Sequence, residues 1–330
     1  MPTNTTPDVL SRGTLFGPHV VNKITSLVKG KSALAALCGG EPIPFNGTKE
    51  FTFSMNDEVD LVAENGAKSR GHIALAPRTV VPVKVEYGAR ISDEFLYAAE
   101  EEKLSILDQF ADGFAKKAAR GLDIMAIHGV NPRTGIISTL LGDNYFDNGV
   151  TVITPAQGEN VNDMVENGIA AVTGHDYDPT GIAISPAFRS DLSKLTYLDG
   201  RPMFPELTWG KMAGVLNGLP AACNNTVNFG SSTDLGVVGD FENAFKWGYS
   251  KQIPVTIIKY GNPDNSEDGD LAGHNQIYIR AELYLGWGIL DKNAFALLRP
   301  ATTGQSGGGE TDGETGGETN NSVNSTRKAK

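Results

Sequence analysis

Cysteine is almost missing from this sequence: Cys38 and Cys223 are its only two copies, far apart, with no CxxC pair and no cysteine–histidine cluster. That excludes a disulfide framework and a zinc-finger spacing, and leaves two reduced, buried thiols as the expectation. The five histidines, His19, His72, His128, His175 and His274, form no HExxH pair or other ligand spacing, so neither a metal centre nor a cofactor is expected from them. Long apolar runs are missing too. None approaches the roughly 20 residues of a membrane helix, and the opening "MPTNTTPDVLSRG" lacks the charged-then-apolar layout of a secretory signal. No membrane partner is expected. Positive charge is in short supply, with 28 lysines and arginines against 39 acids for a net −11. Such a field repels a phosphate backbone, which excludes broad sequence-independent nucleic-acid binding but leaves room for a local basic patch.

What is present is enough for a large core. At 330 residues the chain suits one large domain or two ordinary ones, and its 39 glycines and 17 prolines imply many turns and much β structure. The last thirty residues, 301–330, hold seven glycines and Val323 as their single sizeable apolar side chain, so burial cannot offset their ordering entropy and a solvated tail is expected. Near the other end, Val20, Ile24, Leu27 and Val28 form one helical stripe, which Gly30 breaks before the short apolar run from Ala33 to Leu37.

The pattern then turns to strands. "FTFSM" and "TVVPVKVEY" enclose the polar stretch "NDEVDLVAENGAKSRGHIALAPR", a long two-stranded excursion in which Pro82 marks an edge. A hairpin of this kind is barely stable alone and needs a surface to lie on, such as another subunit. Ser92 is expected to cap a long helix, with Asp93 and Glu94 in its first turn. Leu96, Ala99, Lys103, Leu107, Phe110, Phe114, Ala118, Leu122 and Met125 carry its period to about His128. Within it Gly113 and Gly121 suggest close packing or a bend. From Gly135 to about Leu271, short strands ("GIAIS", "LGVVGD", "VTIIKY") mix with helical stretches as in an α+β domain, and "NQIYIRAELYLGWGIL" and "NAFALLRP" read as closing strands.

Catalytic patterns fail when tested one by one. In "ISPAFRSDLSKLTYLDGRP" Ser185 is an N-cap, Pro186 opens a helix, Phe188, Leu192 and Leu195 form its apolar stripe, and Arg189, Asp191 and Lys194 fall on the outer face. Asp199 and Gly200 form a turn, and no histidine or GxSxG elbow accompanies the serine. "GKS" at Gly30–Ser32 lacks the first glycine of a phosphate loop, because Thr25 stands there. Asp264, Ser266, Asp268 and Gly269 are spaced like the start of a calcium loop, yet Asn275 occupies the position of the bidentate glutamate, so an exposed acidic turn is expected. Glu100, Glu101 and Glu102 diverge around a helix and form no catalytic pair.

Taken in order, "SALAAL", "VAENGAKS", "ARISDEFL", "HGVNPRTGI", "ISPAFRSDLSKLTYLDGRPMF", "LNGLP", "GDF" and "NAFALLRP" make the chain resemble the major capsid proteins of tailed bacteriophages. The resemblance implies an α+β, Hong Kong 97-type fold with an N-arm (1–45), an E-loop (46–90), a peripheral domain carrying a long spine helix (91–135 and 271–300), an axial domain (136–270) and a polar tail (301–330). It implies no enzyme but a virion protein, assembled in the bacterial cytoplasm, whose copies form hexamers and pentamers of an icosahedral shell around double-stranded DNA, without sequence-specific binding. An encapsulin compartment shell shares the fold and is the alternative. Scaffolding, portal and decoration proteins are further implied partners. Some members carry a scaffold-like segment before the arm, whereas here the arm begins almost at Met1. A separate scaffold, removal of such a segment, or no need for one would each account for that. Glu64, Lys68, Arg70 and Arg78 are the implied inter-subunit contacts of the E-loop. Some relatives also join an E-loop lysine to a neighbour's asparagine with a glutamate as base. Lys68 matches that lysine and Asn275 and Glu282 are rough matches for the others, the alternative being a non-covalent Lys68 contact.

Overall fold

A computed structural model describes residues 32–300 apart from 56, 81, 98–99, 157–158, 211–213, 231 and 250–254. The expected stripe from Val20 to Val28, the Thr25–Gly30 stretch and the tail at 301–330 lie outside the described residues.

Helix α1 (Ala33–Leu37) opens the described chain, with the Ser32 side chain accepting from the Ala35 amide at 3.0 Å. Strands β1 (Thr48–Met55) and β2 (Ile73–Val80) form a two-stranded antiparallel hairpin in which Met55 faces Ile73 and Thr48 faces Val80. Strand β2 therefore begins inside the stretch expected to be polar linker, because alternation in "IALAPRTV" suffices once β1 offers a ladder. Pro77 is tolerated opposite Phe51 because, among the described residues, β1 is the one strand hydrogen-bonded to β2, which makes β2 an edge. The run "TVVPVKVEY" is also not one strand. It breaks before Pro82, and β3 (Val83–Ser92) leaves the hairpin to pair with β11 (Gln276–Ile289).

The long helix begins later than Ser92 suggests. Strand β3 runs through Ser92, paired with Gln276, and the Asp93 amide still donates to the Asn275 carbonyl at 3.0 Å. A tight 3-10 turn over Asp93–Tyr97 then redirects the chain, and Ser92 caps that turn by accepting from the Glu94 amide. Helix α2 (Glu100–His128) follows and ends where its period predicts. Leu107, Ala111, Phe114, Ala118, Leu122 and Met125 are buried along it at threes and fours. The expected close packing at Gly113 is not found: the residue is exposed and a Cβ there would meet nothing within 4 Å. Gly113→Ala should therefore raise unfolding stability by about 0.5–1 kcal/mol, the helix propensity difference, in a denaturant titration. A loss would mean that a neighbour packs on that face.

Two sheets complete the body. Strand β11 is the long axis of the first, pairing with β3 on one side and with β10 (Val255–Ile258) and then β9 (Phe245–Tyr249) on the other. Residues 41–43 add a further rung along β9, with the Glu41 amide donating to the Trp247 carbonyl at 2.9 Å. Gly248 makes this approach possible, since the Glu41 carbonyl occupies the space a Cβ would need. The second sheet has the order β4 (Thr151–Ile153), β12 (Phe295–Leu298), β8 (Gly236–Gly239), β5 (Gly181–Ile184), β7 (Leu219–Cys223), β6 (Val215–Leu216). Helices α3 (Val161–Thr173) and α4 (Pro186–Ser193) pack on it through Met164, Phe188 and Leu192. These pairings cross the sequence boundaries at 136 and 271, because β9 and β10 join β11 while β12 lies inside the second sheet. Phe146, Phe241, Phe245 and Phe295 cluster in the core, edge to face except for the tilted Phe146–Phe245 pair, with Phe146 and Phe295 centroids 4.9 Å apart.

Candidate functional site

The hairpin is the most exposed part of the described chain. Every residue from 57 to 75 is exposed, including Val59, Leu61 and Ile73 at 98, 100 and 65 % of their full accessibility. Val80, at its base, is buried against the backbone at Gly288. The 57–72 loop is closed at its neck by Asp57, which accepts from the His72 amide at 2.6 Å and meets the His72 ring at 3.0 Å. Its tip turns at Ala63–Gly66, with Asn65 at φ 68°. Glu64, Lys68 and Arg70 all sit on this exposed loop. Arg78 lies apart from them on β2, opposite Glu50 and close enough to Lys292 that, after burial itself, its charge helps to lower that amine's pKa.

The crosslink candidates are spread out. Asn275 sits in the left-handed turn just before β11, φ 52°, and Glu282 lies seven residues further along, about 20 Å or more at strand spacing. One subunit thus cannot bring both to one bond. The Glu282 carboxylate is held by Lys84 at 2.8 Å and approached by Arg280 at 3.0 Å. Its hydrogen bond and charge raise the Lys84 pKa, so the ammonium form of Lys84 is the one this pairing favours.

The serine of the helix-and-turn piece is structural. Ser185 is fully buried and its hydroxyl accepts from the Phe188 amide at 3.2 Å, while Phe188 and Leu192 point into the core. Asp191 and Lys194 pair on the outside at 3.0 Å as expected, whereas Arg189 is half buried and donates to the Leu207 carbonyl at 3.2 Å. Gly200 closes the following turn at φ 81°. In the calcium-like loop both Asp264 oxygens are taken by Arg90, at 2.6 to 3.2 Å, which also donates to Asn262, Gly269 and Gln276. The hydrogen bonds from Arg90 hold the Asp264 carboxyl down at about 2. The loop's oxygens are therefore organised around a guanidinium. Cys38 and Cys223 are free thiols, and burial pushes Cys38 up to about 11, away from the reactive thiolate.

Sequence reasoning missed a buried polar network at the end of α2. His128 Nδ1 lies 2.9 Å from Asp147 and 3.5 Å from Asp234, and its Nε2 lies 3.1 Å from the Thr226 carbonyl. Arg299 bridges the two carboxylates, at 2.7 Å to Asp234 and 3.0 Å to Asp147. His128, Asp147 and Asp234 carry ligand-type atoms within 4.8 Å of one another. The histidine's two nitrogens nevertheless both face oxygen acceptors, and Arg299 already supplies positive charge to both carboxylates, so the set is arranged as an ion-pair network. The Thr226 hydroxyl continues it by donating at 2.7 Å to Asp123. Asp123, fully buried, also accepts from the Ser32 hydroxyl and from the Ala33 and Leu34 amides at the start of α1. The partners that meet α2 residues directly lie between 19 (His128 to Asp147) and 106 (234 − 128, His128 to Asp234) positions away, so no local spacing could show them.

The sequence matches the family model described as "Phage capsid family" over residues 13–299. No curated protein matches it. Among solved structures, a chain of Mycobacterium phage Ogopogo is 31 % identical, with a TM-score of 0.70 over 82 % of this chain and 92 % of that one. A chain of Gordonia phage Cozz is 23 % identical, with a TM-score of 0.68 over 82 % and 86 %. The capsid of a native GTA particle shares the fold at 15 % identity and a TM-score of 0.55, over 92 % and 96 %.

Proposed function

The chain belongs to the phage capsid family and is a major capsid protein of the Hong Kong 97-type fold, and from that premise we propose how its copies meet. They form rings of six and five that close into an icosahedral shell around double-stranded DNA. The exposed hairpin of each copy lies over a neighbouring copy, with Glu64, Lys68, Arg70 and Arg78 as its polar contacts. The observation that carries this is a two-stranded hairpin with Val59, Leu61, Ile73 and Leu75 open to solvent. Such a ribbon is marginal in water and gains its stability by being covered.

Heterologous contacts repeated around a ring close on themselves, and slightly different rings ask for a rigid body with an adjustable loop. The two sheets supply the body and the 57–72 loop the adjustable part. A net charge of −11 suits a wall that encloses DNA without gripping it. Scaffolding, portal and decoration proteins are the remaining partners of this reading. Assembly takes place in the host cytoplasm and the product is the virion shell. Particles purified from infected cells should protect double-stranded DNA from added nuclease. A protein cargo without DNA would contradict the reading.

Contacts through Lys68 are expected to be non-covalent, since the Glu282 carboxylate is already occupied by Lys84 and Arg280. Boiled denaturing gels of assembled particles should then show a single band at the monomer position, unchanged by Lys68→Ala. A ladder of multimers that Lys68→Ala and Asn275→Ala each abolish would establish the bond between them instead.

A further inference from the structure

With both of its carboxylates ionised, the network at the end of α2 has charges that balance only when His128 is doubly protonated. Asp147 and Asp234 bring two negative charges, Arg299 brings one positive, and His128 brings the second only when both its ring nitrogens carry protons. Both nitrogens also have an acceptor waiting, Asp147 Oδ2 for Nδ1 and the Thr226 carbonyl for Nε2. A neutral imidazole keeps one N–H, so on deprotonation one of these buried acceptors faces a lone pair.

Four pieces of chain meet here. His128 closes α2, whose last carbonyls, on Ala126 and Ile127, accept from the Phe146 and Asp147 amides at 2.9 Å. Asp234 precedes β8 and Arg299 follows β12, both in the second sheet, and Thr226 links the network to Asp123 and the start of α1. We infer that His128, Asp147, Asp234 and Arg299 form a proton-held latch joining the end of α2 to the second sheet, closed while the His128 ring is doubly protonated and loosened when rising pH removes one proton.

The titration directions agree with that geometry. Burial alone disfavours the imidazolium of His128, but the hydrogen bond and charge of Asp147, the Thr226 carbonyl and the charge of Asp234 outweigh it and raise its pKa above the ordinary value of 6.5. The end of a helix adds a negative potential in the same sense. A group raised on folding contributes its full stabilisation below its unfolded pKa and loses it as pH rises through the folded one. On the acid side, burial raises Asp147 but the hydrogen bond and charge of His128 and the charge of Arg299 bring it below the usual carboxylate range, so its contribution is lost only as pH falls through that lowered value. Burial pushes Asp234 up against the pull of Arg299 and Ser232. Protonation of Asp234 as pH falls therefore does not itself oppose folding, but it removes one of the two negative charges of the latch before Asp147 loses its own. The latch, with both carboxylates ionised and His128 doubly protonated, is closed between the raised pKa of Asp234 and the raised pKa of His128.

Two measurements on the whole chain test this. Histidine C2 hydrogen exchange, read by mass spectrometry residue by residue, should give His128 a midpoint above the ordinary value of about 6.5. Denaturant unfolding from neutral to alkaline pH should show the folding equilibrium falling about tenfold for each unit by which the folded pKa of His128 exceeds the unfolded one. His128→Gln should remove that part of the pH dependence, because an amide neither gains nor loses a proton. A His128 midpoint at or below the ordinary value, or an unchanged alkaline slope in His128→Gln, overturns the latch. If the variant does not fold, the exchange midpoint of the unaltered chain decides alone.

Discussion

Excising residues 57–71 and joining 56 to 72 through Asn-Gly should give a chain that folds but does not close shells. The excised loop is exposed throughout, so its loss costs the isolated subunit little. Asn-Gly supplies the type I′ turn that a two-residue hairpin connection requires. Assembly is a different matter, because Val59 and Leu61 are fully open in the single chain and would be covered in the shell. Burying two such side chains contributes about 3–6 kcal/mol per contact, or two to four orders of magnitude in the association constant. The readout is a thermal melt close to that of the parent chain together with the disappearance of closed particles by electron microscopy. Particles in normal yield would remove the hairpin tip from the account of assembly.

Asp123→Ala should be the most destabilising single change in the buried network. The carboxylate accepts from the Ser32 and Thr226 hydroxyls and from the Ala33 and Leu34 amides, all in the interior. The hydroxyls can turn to other acceptors, but the two amides at the start of a five-residue helix cannot. Leaving them unpaired costs about 1–3 kcal/mol each, and detaching α1 from α2 adds to that. A total loss of about 3 kcal/mol or more is expected in denaturant unfolding, a large share of the roughly 5–15 kcal/mol that holds a domain together. Asp123→Asn keeps one acceptor oxygen and should fall between. A loss below about 1 kcal/mol for the alanine variant would mean that water or a shifted chain replaces the carboxylate.

Much of the fold was legible because its signals are local. The apolar runs at 181–184, 236–239, 255–258 and 276–289 are strands, and the threes-and-fours pattern ending at His128 is a helix. Ser185 followed by Pro186 is a cap followed by a helix start. Legibility failed where tertiary pairing overrode a local cue. Ser92 carries a valid capping signal, yet Gln276 holds it in a strand and the signal serves a 3-10 turn instead. Residues 73–78 carry a weak strand signal that became a strand once β1 lay beside it.

The surface loop was legible as a loop, because polar residues and glycine leave few alternatives. The network around His128 was not. A single histidine on a helix has no signature, and its meaning depends on Asp147, Asp234 and Arg299 arriving from three other segments. The resemblance to capsid proteins rested on the order of weak motifs, which is why the family was readable while strand register and buried polar partners were not.

The most direct test of the central claim is to express the chain alone and with any neighbouring scaffold gene, separate the products by size-exclusion chromatography and image them by electron microscopy. The account predicts closed shells, or free rings of five and six copies, in at least one of the two conditions. A monodisperse monomer in both would contradict it.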